Sequence, residues 1–483
     1  MMRTILGAVV VFVVACAFFL ALGPQEFYKA DGPRLVLHVM RENPAWPQHP
    51  FYLPILIAFR QFFETLGLSI APFDVCRFAS AIGAAIGVAG AFVGMRFFFS
   101  KQLGGTMSAT ILATLLVATS PVVLLFGSVV EIHGVFFAPT GIAFALLCFA
   151  SCARSRAVSQ SAAAIAGGIT AVATGIHASG LLLPAAFVPL MIAKEWDDDH
   201  AHSAPRGWKH AVAATLPTIL VFGLVHTALV FVLTDPLSAR TFVDEGFGRP
   251  QGIEYLPRVV LDEFVLALLP LSVLACFASL RERTRLLGVA ALVSAVPYCA
   301  AALHLLVNEP EFGAYLIPLV LPYAGIAVLA WPRYILVAAV VVGASLGLRT
   351  IRIFDPKPAD AQYRRDLGER FESGGGAVFL GTPSELTAFL LAAPQFEPMP
   401  LDEFLVQPPE TVRAALPYFD RKLDERLSKG ELVLLTEGAR QLLTQPTDTV
   451  LRSGNVLGEH LEARYVFDDV SHGAFHATAL RRR

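Results

Sequence analysis

Long apolar runs dominate the first 350 residues of the chain and restrict what it can fold into. A helix needs about 20 predominantly apolar residues to cross a bilayer, and the stretch from Ile5 to Leu22 is the first of several such runs. Their repetition predicts an α-helical polytopic membrane protein and excludes an ordinary water-soluble enzyme. About eleven transmembrane helices of this length are predicted, at residues 5–23, 75–95, 107–126, 134–152, 160–176, 179–193, 211–233, 259–280, 286–305, 313–330 and 334–349.

Charged residues are concentrated in the rest of the chain. Residues 351–483 carry 36 charged side chains among 133 residues, whereas residues 1–350 carry 40. Because a charge at about a quarter of the positions is normal for a soluble domain, we predict a transmembrane domain at 1–350 and a soluble domain at 351–483. In the second domain, Ala377 to Leu380 and Glu431 to Thr436 are typical of buried strands between helices, which favours a small α/β domain.

The positions of lysine and arginine orient the predicted helices across the membrane. The apolar run from Phe51 to Leu68 contains Arg60 and Glu64, so we expect it to lie in the membrane interface. With that assignment most basic loops fall on one side, which the positive-inside rule identifies as cytoplasmic. The N-terminus is then cytoplasmic and residues 351–483 are extracytoplasmic. A second interfacial helix is predicted from Gly32 to Glu42, where apolar residues recur at helical spacing.

Two acidic residues on the predicted outer face are candidates for catalysis. Asp31 lies in the long loop after the first span, where its carboxylate could take a proton from an acceptor hydroxyl or could simply cap the next helix. Glu131 lies between two apolar runs, where an acid is costly unless it lines a wet cavity; the alternative is an ordinary loop acid. His133 follows two residues later and, taken alone, is more typical of a hydrogen-bonded loop residue than of a ligand.

A series of short motifs follows the first span. They are Asp31-Gly32, then His49-Pro50-Phe51-Tyr52, then Arg77 at the beginning of the second span, and Glu131 in GSVVEIHGVFF. In this order they resemble the GT-C-fold glycosyltransferases that use polyprenyl-phosphate sugars, and look closest to bacterial relatives of the protein O-mannosyltransferases. The resemblance covers about residues 1–330 and extends to the loop that contains His177 and to the segment NEPEFGAYLIPLVLPY, which contains Glu309, Glu311 and Tyr315.

The resemblance implies an inverting glycosyltransferase of a bacterial inner membrane. A sugar would pass from a polyprenyl-phosphate donor to a protein, lipid or polysaccharide acceptor, with Asp31 as general base and Glu131 as a second catalytic candidate. Arg77 is the first candidate for the donor phosphate because guanidinium binds phosphate oxygens in a bidentate manner; at the end of a span it could instead extend toward the interface. The other candidates for binding donor or acceptor are Arg34, His49, His133, His177, Glu309, Glu311 and Tyr315.

Two other classes of function stay open. A secondary transporter or flippase, for a lipid-linked or a small polar substrate, predicts inverted repeats and polar groups at the bilayer midplane, and the sequence shows neither. A non-catalytic scaffold with a GT-C-like fold also stays open, because Pro33-Arg34 stands where close relatives carry a second acid. No group of residues has metal-ligand spacing, so no metal site is predicted, although a divalent cation held partly by the donor phosphate would suit this chemistry. The net charge of −2 predicts no nucleic-acid partner.

Overall fold

The structure is a computed structural model in which the chain forms two compact units. The first unit contains Met1–Pro24, Glu42–Ile70 and Asp74–Phe354, and the second contains Gln25–Arg41, Ala71–Phe73 and Asp355–Arg483. The predicted domain boundary after residue 350 stays a prediction. The structure describes residues 2–24, 26–28, 31–44, 49–100, 107–153, 155–201, 207–233, 253–305, 311–372, 374–444 and 453–483.

Helices make up the first unit. Within the described residues, six helices are long and apolar enough to cross a membrane, or up to eight if each of two bent pairs counts as one span. The predicted number of eleven is therefore not confirmed. From the N-terminus to residue 354, the chain's helices, including short 3₁₀ segments and one π-helical segment, are Met2–Leu22, Asp31–Met40, Tyr52–Thr65, Pro72–Phe98, Met107–Ala118, Pro121–Ser128, Ile132–Cys152, Arg156–Ile176, Ala178–Leu182, Leu183–Ala201, Gly207–Leu233, Ile253–Tyr255, Leu256–Leu266, Leu271–Ala278, Glu282–Thr284, Arg285–Leu305, Ala314–Leu319, Val320–Ala330 and Arg333–Arg352.

Two of the predicted straight spans are bent in the structure. The span predicted at 107–126 consists of two helices that meet at 62°, with Pro121 at the beginning of the second one. Proline disfavours helical geometry in the residue before it, and Ser120 is accordingly extended in ψ, at 133°. The span predicted at 259–280 bends by 99° between Leu266 and Leu271, where Pro270 removes a backbone donor. The first bend turns the fully buried Pro121–Ser128 helix toward the residues of the candidate site described below.

Glycines allow two helices of the first unit to pack closely. A Cβ atom on Gly83 would lie 2.6 Å from the carbonyl oxygen of Gly134, and one on Gly90 would lie 2.5 Å from the carbonyl carbon of Gly141. Small residues at such crossings let helix backbones approach each other in membrane proteins. The Pro72–Phe98 helix is thereby held against the first turns of the Ile132–Cys152 helix, which fixes the position of the residues just before Ile132.

Both predicted juxtamembrane helices are present in the structure. The predicted segment from Gly32 to Glu42 forms the helix Asp31–Met40 in the second unit, so Asp31 is its first residue. The predicted segment from Phe51 to Leu68 forms the helix Tyr52–Thr65 in the first unit, with Tyr52 and Leu56 among its buried residues. Their location in the membrane interface stays a prediction.

A five-stranded mixed sheet forms the centre of the second unit. Its strands are β1 (Gly376–Leu380), β2 (Phe396–Pro400), β3 (Leu432–Thr436), β4 (Tyr465–Asp469) and β5 (Ala477–Arg482), in the order β2-β1-β3-β5-β4. β1 is parallel to β2 and β3, and β5 is antiparallel to β3 and β4. The predicted strands are confirmed, but the sequence analysis missed β2. Its sequence, FEPMP, contains two prolines, which are unusual in strands and are tolerated at the edge of a sheet, where β2 lies.

Helices pack on this sheet and complete the predicted α/β architecture. Thr382 and Glu385 form a capping box at the beginning of the Pro383–Ala392 helix. A hydrophobic core lies between the sheet and the later helices and includes Leu435, Leu461 and Leu480. Beyond residue 354, the helices of this unit are Pro358–Arg370, Pro383–Ala392, Asp402–Leu405, Pro409–Ser428, Glu437–Thr444 and Gly454–Arg464.

Candidate active site

Three histidines and a tyrosine that are far apart in the sequence lie together in the first unit. The rings of His49 and His177 are stacked with their centroids 5.2 Å apart, and His133 is 4.4 Å from His177. Tyr315 completes the group, 5.5 Å from His177 and 6.2 Å from His133. We call these four residues the histidine cluster. All four were predicted as substrate-binding residues, and the structure brings them together.

Glu131 lies beside the histidine cluster and begins the helix that carries His133. Its Oε1 accepts a hydrogen bond from the backbone N–H of Ile132 at 2.9 Å and lies 3.7 Å from Nδ1 of His133. Ser80 holds the backbone of Glu131, since its hydroxyl donates to the Glu131 carbonyl at 2.9 Å and accepts from the Glu131 N–H at 3.3 Å. The Glu131 side chain is largely buried, with 12% of its surface exposed.

His133 is a buried member of the histidine cluster that makes no hydrogen bond to any described residue. It is 6% exposed, and among the described residues neither of its ring nitrogens has a hydrogen-bond partner. Phe126 packs on it at a centroid distance of 4.8 Å. A buried polar atom without a partner is rare in folded proteins and costs stability. The position therefore suits a residue whose partner is a ligand.

The environment keeps the other two imidazoles neutral. Burial, with a further contribution from the neighbouring His133, lowers the pKa of His49 to about 4, while the charge of Glu131 partly opposes the shift. Burial also lowers the pKa of His177 well below its usual value, with His133 and His49 adding to the effect. Nδ1 of His177 lies 2.7 Å from the hydroxyl of Ser179. A neutral imidazole both donates and accepts hydrogen bonds, which suits hydroxyl groups of a substrate.

Arg77 lies on the Pro72–Phe98 helix, which also carries Ser80, the residue that holds the backbone of Glu131. It precedes Ser80 by three residues, so the two share one face of the Pro72–Phe98 helix. Gly23 makes room for it: a Cβ there would lie 3.2 Å from Cδ of Arg77 and 2.9 Å from the carbonyl of Ser128. The guanidinium lies 3.7 Å from Asp74, and within the part of the chain that the structure describes its buried Nε has no hydrogen-bond partner.

Tyr52 is a residue of this site that the sequence analysis did not select. It is the first residue of the Tyr52–Thr65 helix and is fully buried, and its hydroxyl has no hydrogen bond to any described residue. Burial raises its pKa well above the usual value, and the nearby thiol of Cys76 and charge of Glu131 add to the shift. The phenol is therefore a neutral donor near Glu131. The only signal in the sequence was its place in the His49-Pro50-Phe51-Tyr52 motif.

Glu263 holds the turn that precedes Tyr315 of the histidine cluster, and the sequence analysis did not select it. This buried carboxylate accepts hydrogen bonds from the backbone N–H groups of Glu311 and Gly313, at 2.8 and 2.6 Å. Phe312 and Gly313 both have positive φ angles, and the turn they form leads directly into the short helix that carries Tyr315. The available signal in the sequence was an acidic residue inside an apolar run, since ionisable residues in such runs usually have a functional role.

Four candidates remain: Asp31, Arg34, Glu309 and Glu311. Asp31 and Arg34 belong to the second unit, where Asp31 is the first residue of a helix. Glu309 lies outside the described residues. Glu311 is half-buried beside Glu263. In the described ranges no group of three or more His, Cys, Asp or Glu side chains could hold a metal ion.

Comparison with known proteins identifies the fold. A crystal structure of ArnT from Cupriavidus metallidurans, bound to undecaprenyl phosphate, is similar with a TM-score of 0.55 and 13% identity, covering 98% of each chain. The apo state of that protein gives 0.54 and 12% at the same coverage. An oligosaccharyltransferase of Archaeoglobus fulgidus in complex with Zn and sulfate gives 0.51 and 13%, covering 96% of this chain and 72% of the other.

The fold is therefore that of the GT-C membrane proteins, as the sequence resemblance implied, and the chain is an integral membrane protein. No protein-family model and no curated protein matches the sequence. Identities of 12–13% are informative about the fold alone, so the finer likeness to the protein O-mannosyltransferases stays a prediction.

Proposed function

We propose that the protein is a membrane glycosyltransferase that moves a sugar from a polyprenyl-phosphate donor to an acceptor on the extracytoplasmic face. The observation that carries this proposal is a set of buried polar atoms that have no hydrogen-bond partner among the described residues: the ring nitrogens of His133, the hydroxyl of Tyr52 and Nε of Arg77. Leaving such atoms unpaired is costly, so the site is built for a polar ligand. The bound undecaprenyl phosphate in the similar ArnT structure supports a lipid phosphate as part of that ligand.

The donor phosphate is assigned to Arg77. When the bond to the anomeric carbon breaks, the lipid phosphate leaves as a phosphate monoester dianion, so its departure needs positive charge rather than a proton. Arg77 lies on the same helix as Ser80, which holds the backbone of Glu131, and its salt bridge to half-exposed Asp74 is long, at 3.7 Å. The planar guanidinium would pair with two phosphate oxygens.

The sugar is assigned to the histidine cluster. The imidazoles of His49, His133 and His177 lie at close spacing, and Tyr315 and Tyr52 add phenol hydroxyls. This set suits the hydroxyls of a sugar ring. Glu131 would orient His133 and accept a further hydroxyl hydrogen bond.

In the proposed inverting reaction, an acceptor hydroxyl attacks the anomeric carbon while the bond from that carbon to the phosphate oxygen breaks. The electron pair of the broken bond leaves with the lipid phosphate, and the hydroxyl proton passes to the general base. Asp31 is the proposed base on the resemblance of its motif alone, and the acceptor is a protein, a lipid or a polysaccharide. The N-terminus in the cytoplasm of a bacterial cell is part of the same proposal.

The test compares envelope glycans, glycolipids and glycoproteins by mass spectrometry in cells with the gene intact and deleted. We expect one glycan to disappear in the deletion strain and to return with the wild-type chain. Glu131→Gln is expected not to restore it, whereas the exposed control Glu282→Gln is expected to restore it fully. An unchanged glycan profile in the deletion strain would contradict the proposal, and full restoration by Asp31→Asn would remove the assignment of the base.

A further inference from the structure

The second unit contains a cavity that the proposed transfer reaction does not use. It has a volume of about 750 Å³ and lies between the Glu437–Thr444 helix and the ends of β4 and β5. Cavities of this volume fall in the size range of small-molecule sites. All of the residues that line it belong to the second unit, so the cavity is independent of the histidine cluster.

The register of the sheet explains why a polar cavity follows the hydrophobic core. Phe467 pairs with Leu480, and two residues further along β4 Asp469 pairs with Thr478. Side chains two residues apart in a strand share one face, so these four lie on the face that packs against the core. Leu480 is part of the core and half-buried Phe467 borders it. Asp469 and Thr478 continue the same face into the cavity as polar residues.

Thr478 is a buried hydroxyl at the floor of the cavity. It is 7% exposed, and its Oγ1 has no hydrogen-bond partner in the residues that the structure describes. Its strand neighbours Ala477 and Leu480 are apolar and well packed, so an apolar residue would also suit this position. An unsatisfied buried hydroxyl costs about 1–3 kcal/mol, which indicates that a ligand atom completes its hydrogen bonding.

Charged groups of both signs line the cavity. Asp469 is fixed by hydrogen bonds from the hydroxyl and the N–H of Ser471, at 2.6 and 2.9 Å. These bonds lower its pKa, and the nearby His476 and Arg440 contribute to the same shift. Glu437 and Gln441 extend from the helix on the other side. The lining therefore presents planar donors and acceptors with little net charge.

We propose that this cavity binds a carbohydrate, one sugar or a short oligosaccharide, with a ring packed on Phe467. The carboxylates of Asp469 and Glu437 accept from sugar hydroxyls, Arg440 and Gln441 donate to them, and Thr478 reaches the innermost hydroxyl. A phosphate or an anionic lipid does not fit, because the carboxylates of Asp469 and Glu437 outnumber the one guanidinium, that of Arg440. A peptide that extends the sheet would use the free edge of β4, whereas the cavity lies over the face of the strand.

The test measures saccharide binding by the purified full chain in detergent, in the Glu131→Gln background so that turnover at the histidine cluster does not interfere. The probes are a printed array of neutral and acidic mono- to tetrasaccharides, followed by calorimetry with the strongest binder. We expect Arg440→Gln and Asp469→Asn each to weaken binding about tenfold or more, the scale of one charge-assisted hydrogen bond. Thr478→Val is expected to weaken binding while leaving the thermal unfolding midpoint equal or higher.

The matched control is Arg413→Gln, an exposed arginine on the Pro409–Ser428 helix that does not line the cavity. It is expected to leave affinity unchanged. Absence of any saccharide binding would overturn the proposal, and so would binding that Arg440→Gln and Asp469→Asn leave intact. Selective binding of a peptide library with the same sensitivity to these variants would overturn the carbohydrate assignment. Because the readout is binding, failure here is separate from failure of the transferase proposal.

Discussion

Two buried ionisable groups, one in each unit, differ in how their polar atoms are paired. In the second unit, Asp420 is buried and both of its oxygens are paired, one with His460 at 2.8 Å and the other with Arg464 at 2.9 Å. In the first unit, His133 is equally buried, yet neither nitrogen has a hydrogen bond among the described residues. A buried polar group whose hydrogen bonds are all made within the protein stabilises the fold. A buried polar group without a protein partner is available to bind a ligand. Substitutions should therefore reduce stability in one unit and activity in the other.

Arg77→Gln should have the largest effect on activity. Glutamine keeps much of the packing but loses the positive charge that the departing phosphate needs, so transfer should fall about 10²–10³-fold, as when one transition-state donor is removed. The measurement is the rate of glycan incorporation in membranes that contain equal amounts of protein. Arg77→Lys should retain part of the activity because it keeps the charge without the bidentate geometry. Equal rates for Arg77→Gln and the wild type would contradict the phosphate assignment.

Asp420→Ala should have the largest effect on stability. It leaves His460 and half-exposed Arg464 without their carboxylate, which we expect to cost about 2 kcal/mol after allowance for solvent screening. The apparent unfolding midpoint of the purified chain should fall by several degrees in differential scanning fluorimetry. Asp468→Ala, which breaks the exposed pair with Arg481, is the control and should change it little. An equal decrease of the unfolding midpoint in both variants would show that the buried pairs of Asp420 stabilise the second unit no more than an exposed pair does.

The sequence predicted most of the elements but not how they meet. Apolar runs and charge density indicated the membrane helices, and buried runs indicated β1 and β3. The bends at Pro121 and Pro270 were missed because apolar composition continues through them. The histidine cluster could be selected only through the ordered motifs, since nothing in the spacing of His49, His133 and His177 reveals that their rings stack.

Residues that act through tertiary contacts were the least predictable. Ser80 looks like any small residue of a glycine- and alanine-rich helix, and its role appears only when its hydroxyl meets the backbone of Glu131. Glu263 was visible as an acid in an apolar run, but its partners, the N–H groups of Glu311 and Gly313, are about 50 positions away. Such pairings depend on helix packing that no local pattern encodes.

Tyr52→Phe removes one oxygen atom and should reduce activity without reducing stability. The hydroxyl has no hydrogen bond in the described part of the chain, so its removal should leave the unfolding midpoint unchanged or slightly raised. If the hydroxyl binds substrate, transfer should fall about tenfold, the value of one neutral hydrogen bond. Tyr323→Phe is the control, because that hydroxyl donates to the carbonyl of Ala291 and its loss should reduce stability rather than activity. A stability loss in Tyr52→Phe with normal activity would reverse the comparison.

The smallest expected effect concerns acid sensitivity and His49. Its folded pKa of about 4 lies below the usual value of 6.5, so the unfolded chain binds a proton more readily than the folded one. The contribution of this pKa difference to the free energy of unfolding is therefore full above about pH 6.5 and is lost as the pH falls toward 4. His49→Phe keeps a ring that can stack on His177 and removes this titration. Its unfolding midpoint should fall less than that of the wild type between pH 6.5 and 4.5, and an identical decrease in both would show that other groups determine the acid sensitivity of the first unit.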